Sequence, residues 1–409
     1  MKKLFEIIYS DRSEKMVFLA MCATIFTYGF MFRIIDIRYA FWCALPFCIY
    51  YLTNTKDLLQ DISFWYLLMS MTMVGIIACC RDPRLSTVWS ESKLAWIMPT
   101  VYILGRSVVS YNKQKSVTRA MMAISALGLG MFFQGCLDYT NRFFKPFDSV
   151  VAWYGFWSND WEVKNTYDVA WLIFISFLYY YIKRCKQEKK KFVAYLIVFT
   201  VVIVNILSVE GRTIPCLAIL ILLVNYIADK IVNKNIDKKT RNKIFGFLII
   251  ILAFIIIVKV ILNINLFGLG DIYEDSFLNR DGGIFNNIRF GLIRDSLYNS
   301  LASPQGGWIG PYINGGTHCT WLEFSRVYNT YVFAILMIFV CASLFNGLVI
   351  LFTRKLGDYR FVLAGSLFAL FIFLTMEPLG YAPRYYMIFY VFVAGIINGT
   401  KYCNMLKND

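Results

Sequence analysis

A chain of 409 residues that is 58% hydrophobic and 18% aromatic, with a mean hydropathy of +0.56, is too apolar for a soluble domain of this length. Its one histidine, His318, excludes a histidine-ligated metal cluster, so acid–base chemistry near neutrality would run on a single imidazole. A formal charge of +15 would suit nucleic acid, but here the basic residues gather in short connections between apolar runs, which is a topology signal and excludes nucleic acid as the expected partner.

The first fifteen residues carry Lys2, Lys3, Glu6, Arg12 and Lys15 without an apolar core or a small-residue cleavage site, so they read as no signal peptide. Apolar runs long enough to cross a hydrocarbon layer of about 30 Å then follow near 16–32, 39–53, 63–80, 94–110, 120–137, 168–182, 192–208, 213–229, 245–264, 330–352, 361–379 and 385–400. The expected class is all-α: a polytopic integral membrane protein of about twelve spans, one domain over 1–409, with a large extracytoplasmic loop at 265–329 between the ninth and tenth spans. Basic clusters such as 183–191 and 230–243 place their connections, and both termini, on the cytoplasmic side next to anionic lipid. Most of the eleven cysteines sit within spans, where a thiol behaves as a small hydrophobe. Cys136 and Cys319 fall near the outer side, and nothing in the sequence says that they are close enough to bond.

Two outer segments remain substantial, 138–167 and 265–329, so function is expected outside. The first is dense in rings, Phe143 through Trp157, which anchor at a membrane interface and also stack on sugar faces. The second opens on a Gly- and Asp-rich stretch. It continues as a helix over about 284–301 with Phe285, Ile288, Leu292 and Ser296 at helical spacing, and Arg289 lies on the polar border of that stripe. Pro304 to Pro311 breaks it, and Asn314-Gly-Gly-Thr317 turns the backbone to deliver His318 at the start of a further helix, 318–330.

Three residues carry the expected chemistry. Arg212 stands between the seventh and eighth spans, where it either pairs with Glu210 or meets an anionic ligand; Arg289 is the second fixed cation. The planar fork of arginine binds phosphate oxygens at two points and cannot lose its proton. His318 is the titratable base. Glu323 and Arg326 either tune it or pair with each other at helical spacing. Glu377, near the outer end of the eleventh span, and Arg384 beyond it form either an internal ion pair or an auxiliary substrate contact.

Ser208-Val-Glu-Gly-Arg212 opening a span, Arg289 on a helix of the largest loop, and Thr317-His318-Cys-Thr-Trp321-Leu-Glu323 before the next span resemble the O-antigen ligase and O-antigen polymerase superfamily of bacterial envelope glycosyltransferases. The resemblance covers about 205–390, and Cys319 stands where members commonly carry Asn. It implies transfer on the outer face of a bacterial cytoplasmic membrane, without metal or other cofactor, from a glycan on a polyprenyl diphosphate. In that scheme Arg212 and Arg289 hold the diphosphate, His318 takes a proton from the acceptor hydroxyl, and the anomeric centre inverts. Membrane lipids, a chain-length regulator and a flippase are the implied partners. Polymerase is preferred over ligase. A glycan-lipid flippase or other transporter is the alternative of another class, and a transferase using Asp36 as its acid is a third.

Overall fold

The computed structural model describes residues 11–30, 37–54, 58–81, 85–110, 115–144, 152–154, 161–187, 213–233, 288–307, 317, 319–376 and 383–405. In chain order these form α1 (Asp11–Phe30), α2 (Ile37–Asn54), α3 (Ile62–Arg81), α4 (Leu85–Ser110), α5 (Ser116–Phe144), β1 (Ala152–Tyr154), β2 (Trp161–Val163), α6 (Lys164–Gln187), α7 (Thr213–Asn233), α8 (Ile288–Ala302), α9 (Thr320–Val327), α10 (Thr330–Phe352), α11 (Tyr359–Met376) and α12 (Pro383–Met405), with a 3₁₀ turn at Arg354–Leu356. The described chain is helical apart from the antiparallel hairpin, which pairs Ala152 with Val163 and Tyr154 with Trp161 in the aromatic connecting segment.

Ten of the expected spans fall on helices; those expected at 192–208 and 245–264 lie outside the described residues. Among the described residues, three helices are long and apolar enough to cross a membrane: Ile62–Arg81, Ser116–Asp138 and Thr330–Phe352. Trp96–Val109, Tyr359–Thr375 and Met387–Lys401 are shorter apolar helices. Large apolar side chains such as Ile62, Trp96, Ile219 and Phe345 face outward, more than three-fifths exposed. Such a surface is covered by lipid more readily than by water.

The helices meet at backbone distance. A Cβ placed on Gly105 of α4 would lie 2.3 Å from the Phe392 carbonyl oxygen of α12, and one on Gly395 would lie 2.3 Å from that of Tyr102. Gly29 of α1 and Gly130 of α5 approach each other's helix in the same reciprocal way, at 2.3 Å from Leu127 O and 2.2 Å from Phe26 O. Small residues allow this approach where lipid offers no hydrophobic drive between helices, and close packing then supplies the attraction.

Hydrogen bonds sort the helix ends into two groups. At one end the start of α1 meets the start of α5 through Glu14 and Arg119, and Asp61, just before α3, meets Arg106 near the end of α4. Lys183 near the end of α6, Asp229 near the end of α7, and Asp358 and Arg360 at the start of α11 form a further cluster with contacts of 2.6–3.1 Å. Hydrogen bonds from Tyr102 of α4 through Asn398 of α12 to Asn346 of α10, and the short link from α10 to α11, put these groups at the same end. The opposite end holds the end of α3, the α8–α9 segment, the start of α10 and the end of α11. The ion-paired end also carries Lys183, Arg184 and Lys230, the described parts of the basic stretches 183–191 and 230–243.

One expectation needs correction. The helix expected over 318–330 is shorter: α9 runs Thr320–Val327, and α10, expected from 330, starts at Thr330 after Asn329, whose side chain accepts from the Val332 N–H at 2.7 Å. An asparagine whose carbonyl caps a new helix cannot also continue the old one. Within the stretch expected to be helical from 284, the described helix begins at Ile288 and buries Leu292, Ser296 and Ser300, while Leu297, Tyr298 and Leu301 face outward. Cys136 and Cys319 are free thiols, the second buried.

Gly105→Leu should sharply reduce the folded protein recovered in detergent, because its side chain meets α12 backbone that cannot yield. Gly291→Ala, where nothing lies within 4 Å of the new methyl, should raise stability by about 0.5–1 kcal/mol through helix propensity. Thermal melts of the two purified variants compare them directly.

Candidate functional site

His318, Arg212, Glu377 and Asp36 lie outside the described residues. Arg289 is the second residue of α8, and Arg384 the second residue of α12. Glu323 and Arg326 are described in full, as are Thr317 and Cys319, the residues on either side of His318 in the chain.

Glu323 is the organising acid of this segment. One carboxylate oxygen accepts from the Thr317 backbone N–H at 2.7 Å, and the other accepts from Arg326 Nε at 2.7 Å. The pair that helical spacing allows is therefore made, and it leaves the carboxylate reaching back to the loop rather than out to solvent. The Thr317 hydroxyl donates to the Cys319 carbonyl at 2.8 Å and accepts from the Cys319 N–H at 3.3 Å. Thr317 and Cys319 are both buried. Cys319 is the residue that caps α9, in extended conformation. Burial pushes its thiol above the ordinary range, while the Leu322 and Trp321 N–H groups facing it act in the opposite direction.

The body of α9 is anchored by Trp321. Its indole N–H donates to the Thr375 hydroxyl at 3.1 Å, and its ring stacks on Phe371 and meets Tyr390 edge-on, with centroids 6.1 and 5.1 Å away. A tryptophan that is both buried and hydrogen-bonded fixes the helix in position and in rotation.

The far end of α9 joins α8, α10 and α3. Arg81, the last residue of α3, donates from Nη2 to the carbonyls of Gln305 at 3.0 Å and Tyr328 at 2.7 Å, and from Nη1 to that of Val327. Around it the Gly307 N–H donates to Arg326 O at 2.6 Å, the Thr330 N–H to Pro304 O at 2.8 Å, and the Thr330 hydroxyl to Ser300 O at 2.5 Å. Gly306 and Gly307 have φ of +74° and +71°, a conformation that glycine adopts without steric cost. At Gly306 the space is also missing, since a Cβ would lie 2.4 Å from the Tyr328 carbonyl oxygen. The helix that carries Arg289 and the helix that follows His318 thus belong to one hydrogen-bonded unit.

Sequence reasoning passed over two features. Arg81 closes a span with partners 224 to 247 residues away, and no local pattern names them. Gln134, Asp138 and Asn141 are buried on one face of α5, with Gln134 Nε2 donating to Asp138 at 3.0 Å. Their i, i+4, i+7 spacing was the available signal.

Replacing Glu323 by Ala leaves the buried Thr317 N–H without its acceptor and Arg326 without its acid, so it should destabilise the fold by about 1–3 kcal/mol. Glu323→Gln keeps an acceptor oxygen and should lose less. Denaturation of the two variants in the same detergent separates the cases.

No protein-family model, no curated protein and no solved structure matches this chain.

Proposed function

We propose that this chain is a polyprenyl-diphosphate-dependent glycosyltransferase of a bacterial cytoplasmic membrane, polymerising a surface polysaccharide such as O-antigen or capsule. It crosses the membrane about twelve times with both termini inside, and the 265–329 segment lies on the outer face with the site. The observation that carries the reading is the α8–α9 unit. A helix bearing a fixed cation near its start and a helix immediately preceded by the chain's one imidazole residue are locked together at the bundle end opposite the basic connections.

The chemistry follows from those groups. The acceptor sugar hydroxyl attacks the anomeric carbon of the donor glycan, the bond from that carbon to the diphosphate oxygen breaks, and the hydroxyl proton passes to His318. A base in this role contributes about 10²- to 10⁴-fold. Arg212 and Arg289 neutralise the diphosphate as it leaves, at the point where negative charge develops. Attack from the side opposite the leaving group inverts the anomeric centre.

A carrier of glycan lipids would place charged groups along a path through its spans. Among the described residues, the buried charged side chains Arg106, Arg119, Asp138 and Arg360 all sit within about two turns of a helix terminus. That distribution leaves the midsections of the described helices without a buried charge, which favours an enzyme over a carrier.

Purified protein incubated with polyprenyl-linked repeat units alone should produce longer chains. Products that appear only when lipid core is added would make it a ligase, and movement of the lipid between leaflets without transfer would make it a carrier. His318→Ala and Arg289→Ala should each cut transfer by about 10²-fold or more at unchanged abundance, while Asp36→Ala is tolerated. Full activity in His318→Ala would remove the base from the scheme.

A further inference from the structure

We propose that Arg81 is a positioning residue for the transfer reaction, acting as a three-carbonyl clamp that sets the helix of Arg289 against the helix led by His318. The inference rests on the function proposed above and adds a residue from the other half of the chain, which no motif connects to the site.

The geometry is that of a fork filling a cage. Val327 and Tyr328 present their carbonyls at the end of α9, where unsatisfied C=O groups and the negative pole of the helix attract a cation. Gln305 presents its carbonyl from the turn that directly follows α8. Only a planar group with several diverging donors satisfies all three at once, and guanidinium is that group. Arg81 also terminates α3, one of the helices of membrane-spanning length, so the clamp refers the loop to the rigid bundle. At the junction, Gly306 lies against Tyr328 O with no space for a methyl group. Glycine contact and guanidinium thus meet at the same Tyr328 carbonyl.

The anchor of α9 at Trp321 does not involve Arg81. Loss of the clamp should leave α9 in place at its Trp321 contact and free α8 to shift relative to it. A misplacement of about 1 Å between reacting groups costs about 10²-fold in rate, which is the size of effect the clamp controls. Because Arg81 is exposed, a guanidinium ion from solution can reach the vacated cage.

The experiment compares full-length wild type with Arg81→Met, Arg81→Lys and His318→Ala in one detergent, using a polyprenyl diphosphate-linked repeat unit as substrate. For Arg81→Met, kcat should fall about 10- to 100-fold with donor KM within about threefold of wild type and with folded protein recovered in similar amount. Arg81→Lys should recover part of that loss, since one ammonium cannot span three carbonyls. Added methylguanidinium should restore Arg81→Met and leave His318→Ala inactive. Hydrogen exchange supplies a reading independent of the reaction: the Gly307 and Thr330 amides, bonded to Arg326 O and Pro304 O, should exchange faster in Arg81→Met. Unchanged exchange at both amides overturns the clamp whatever the chain catalyses. Faster exchange with unchanged kcat, in a series where His318→Ala is inactive, overturns the positioning role and leaves the transferase intact. A fall in activity that only tracks loss of folded protein also overturns it. Full activity in His318→Ala overturns the transferase reading, and the positioning role with it.

Discussion

Three carbonyl oxygens from two chain segments converge on the Arg81 guanidinium, and that convergence ties both the end of α9 and the turn after α8 to α3. Backbone carbonyls at a helix end need partners, and a loop at the rim of an apolar bundle has few of its own kind to offer. One arginine supplies them for α9 and for the turn after α8 together. The glycines at 306 and 307 then follow as a necessity, because the backbone must pass close to Tyr328 with positive φ to bring Gln305 into reach. The constraint runs from a side chain on α3, through two glycines, to the relative placement of α8 and α9.

The other end of the bundle is held differently. Asp61 accepts from Tyr102 at 2.5 Å and pairs with Arg106; Tyr102 accepts from Asn398 at 2.7 Å, Asn398 from Asn346 at 2.7 Å, and Asn346 from Lys401 at 2.6 Å. This chain of directional bonds crosses α3, α4, α12 and α10. Taking Arg106 and Asp61 out of water costs several kcal/mol per ion, so such a pair is a poor source of stability, but removing either partner alone costs about 3–5 kcal/mol. Its use lies in register: together with the reciprocal glycine contacts, these directional bonds fix where α4, α10 and α12 meet along their length. The Lys183, Asp229 and Arg360 cluster does the same for α6, α7 and α11.

The positions of the described helices were legible because a long run of apolar residues at this composition reads as a buried or lipid-facing helix. The expected 63–80 and 330–352 match α3 and α10 closely, while α4 begins at Leu85 rather than at 94 because its first turns are polar and a hydropathy window cannot see them. The start of α10 at Thr330 was legible from its apolar run, but α9 was drawn up to it because Trp321, Phe324 and Tyr328 keep helical spacing past its end at Val327. At the candidate site, the Glu323–Arg326 pair was legible from its i, i+3 spacing. The reach of Glu323 back to Thr317 was not, and neither was Arg81. Both depend on where a loop returns in space, which periodicity does not encode.

Cys319 shows how one position can serve local structure and still bear on chemistry. It occupies the capping position of α9, where the resembled superfamily commonly carries Asn, a far better cap than a thiol. With a weak acceptor there, the start of α9 relies on other bonds: the Thr317 hydroxyl ties to both the N–H and the carbonyl of residue 319, and Glu323 ties to the Thr317 N–H. The asparagine of the resembled pattern is thus explicable as a cap, with no contact to substrate required. On that view Cys319 changes how the start of α9 is held and leaves the role proposed for His318 as it stands.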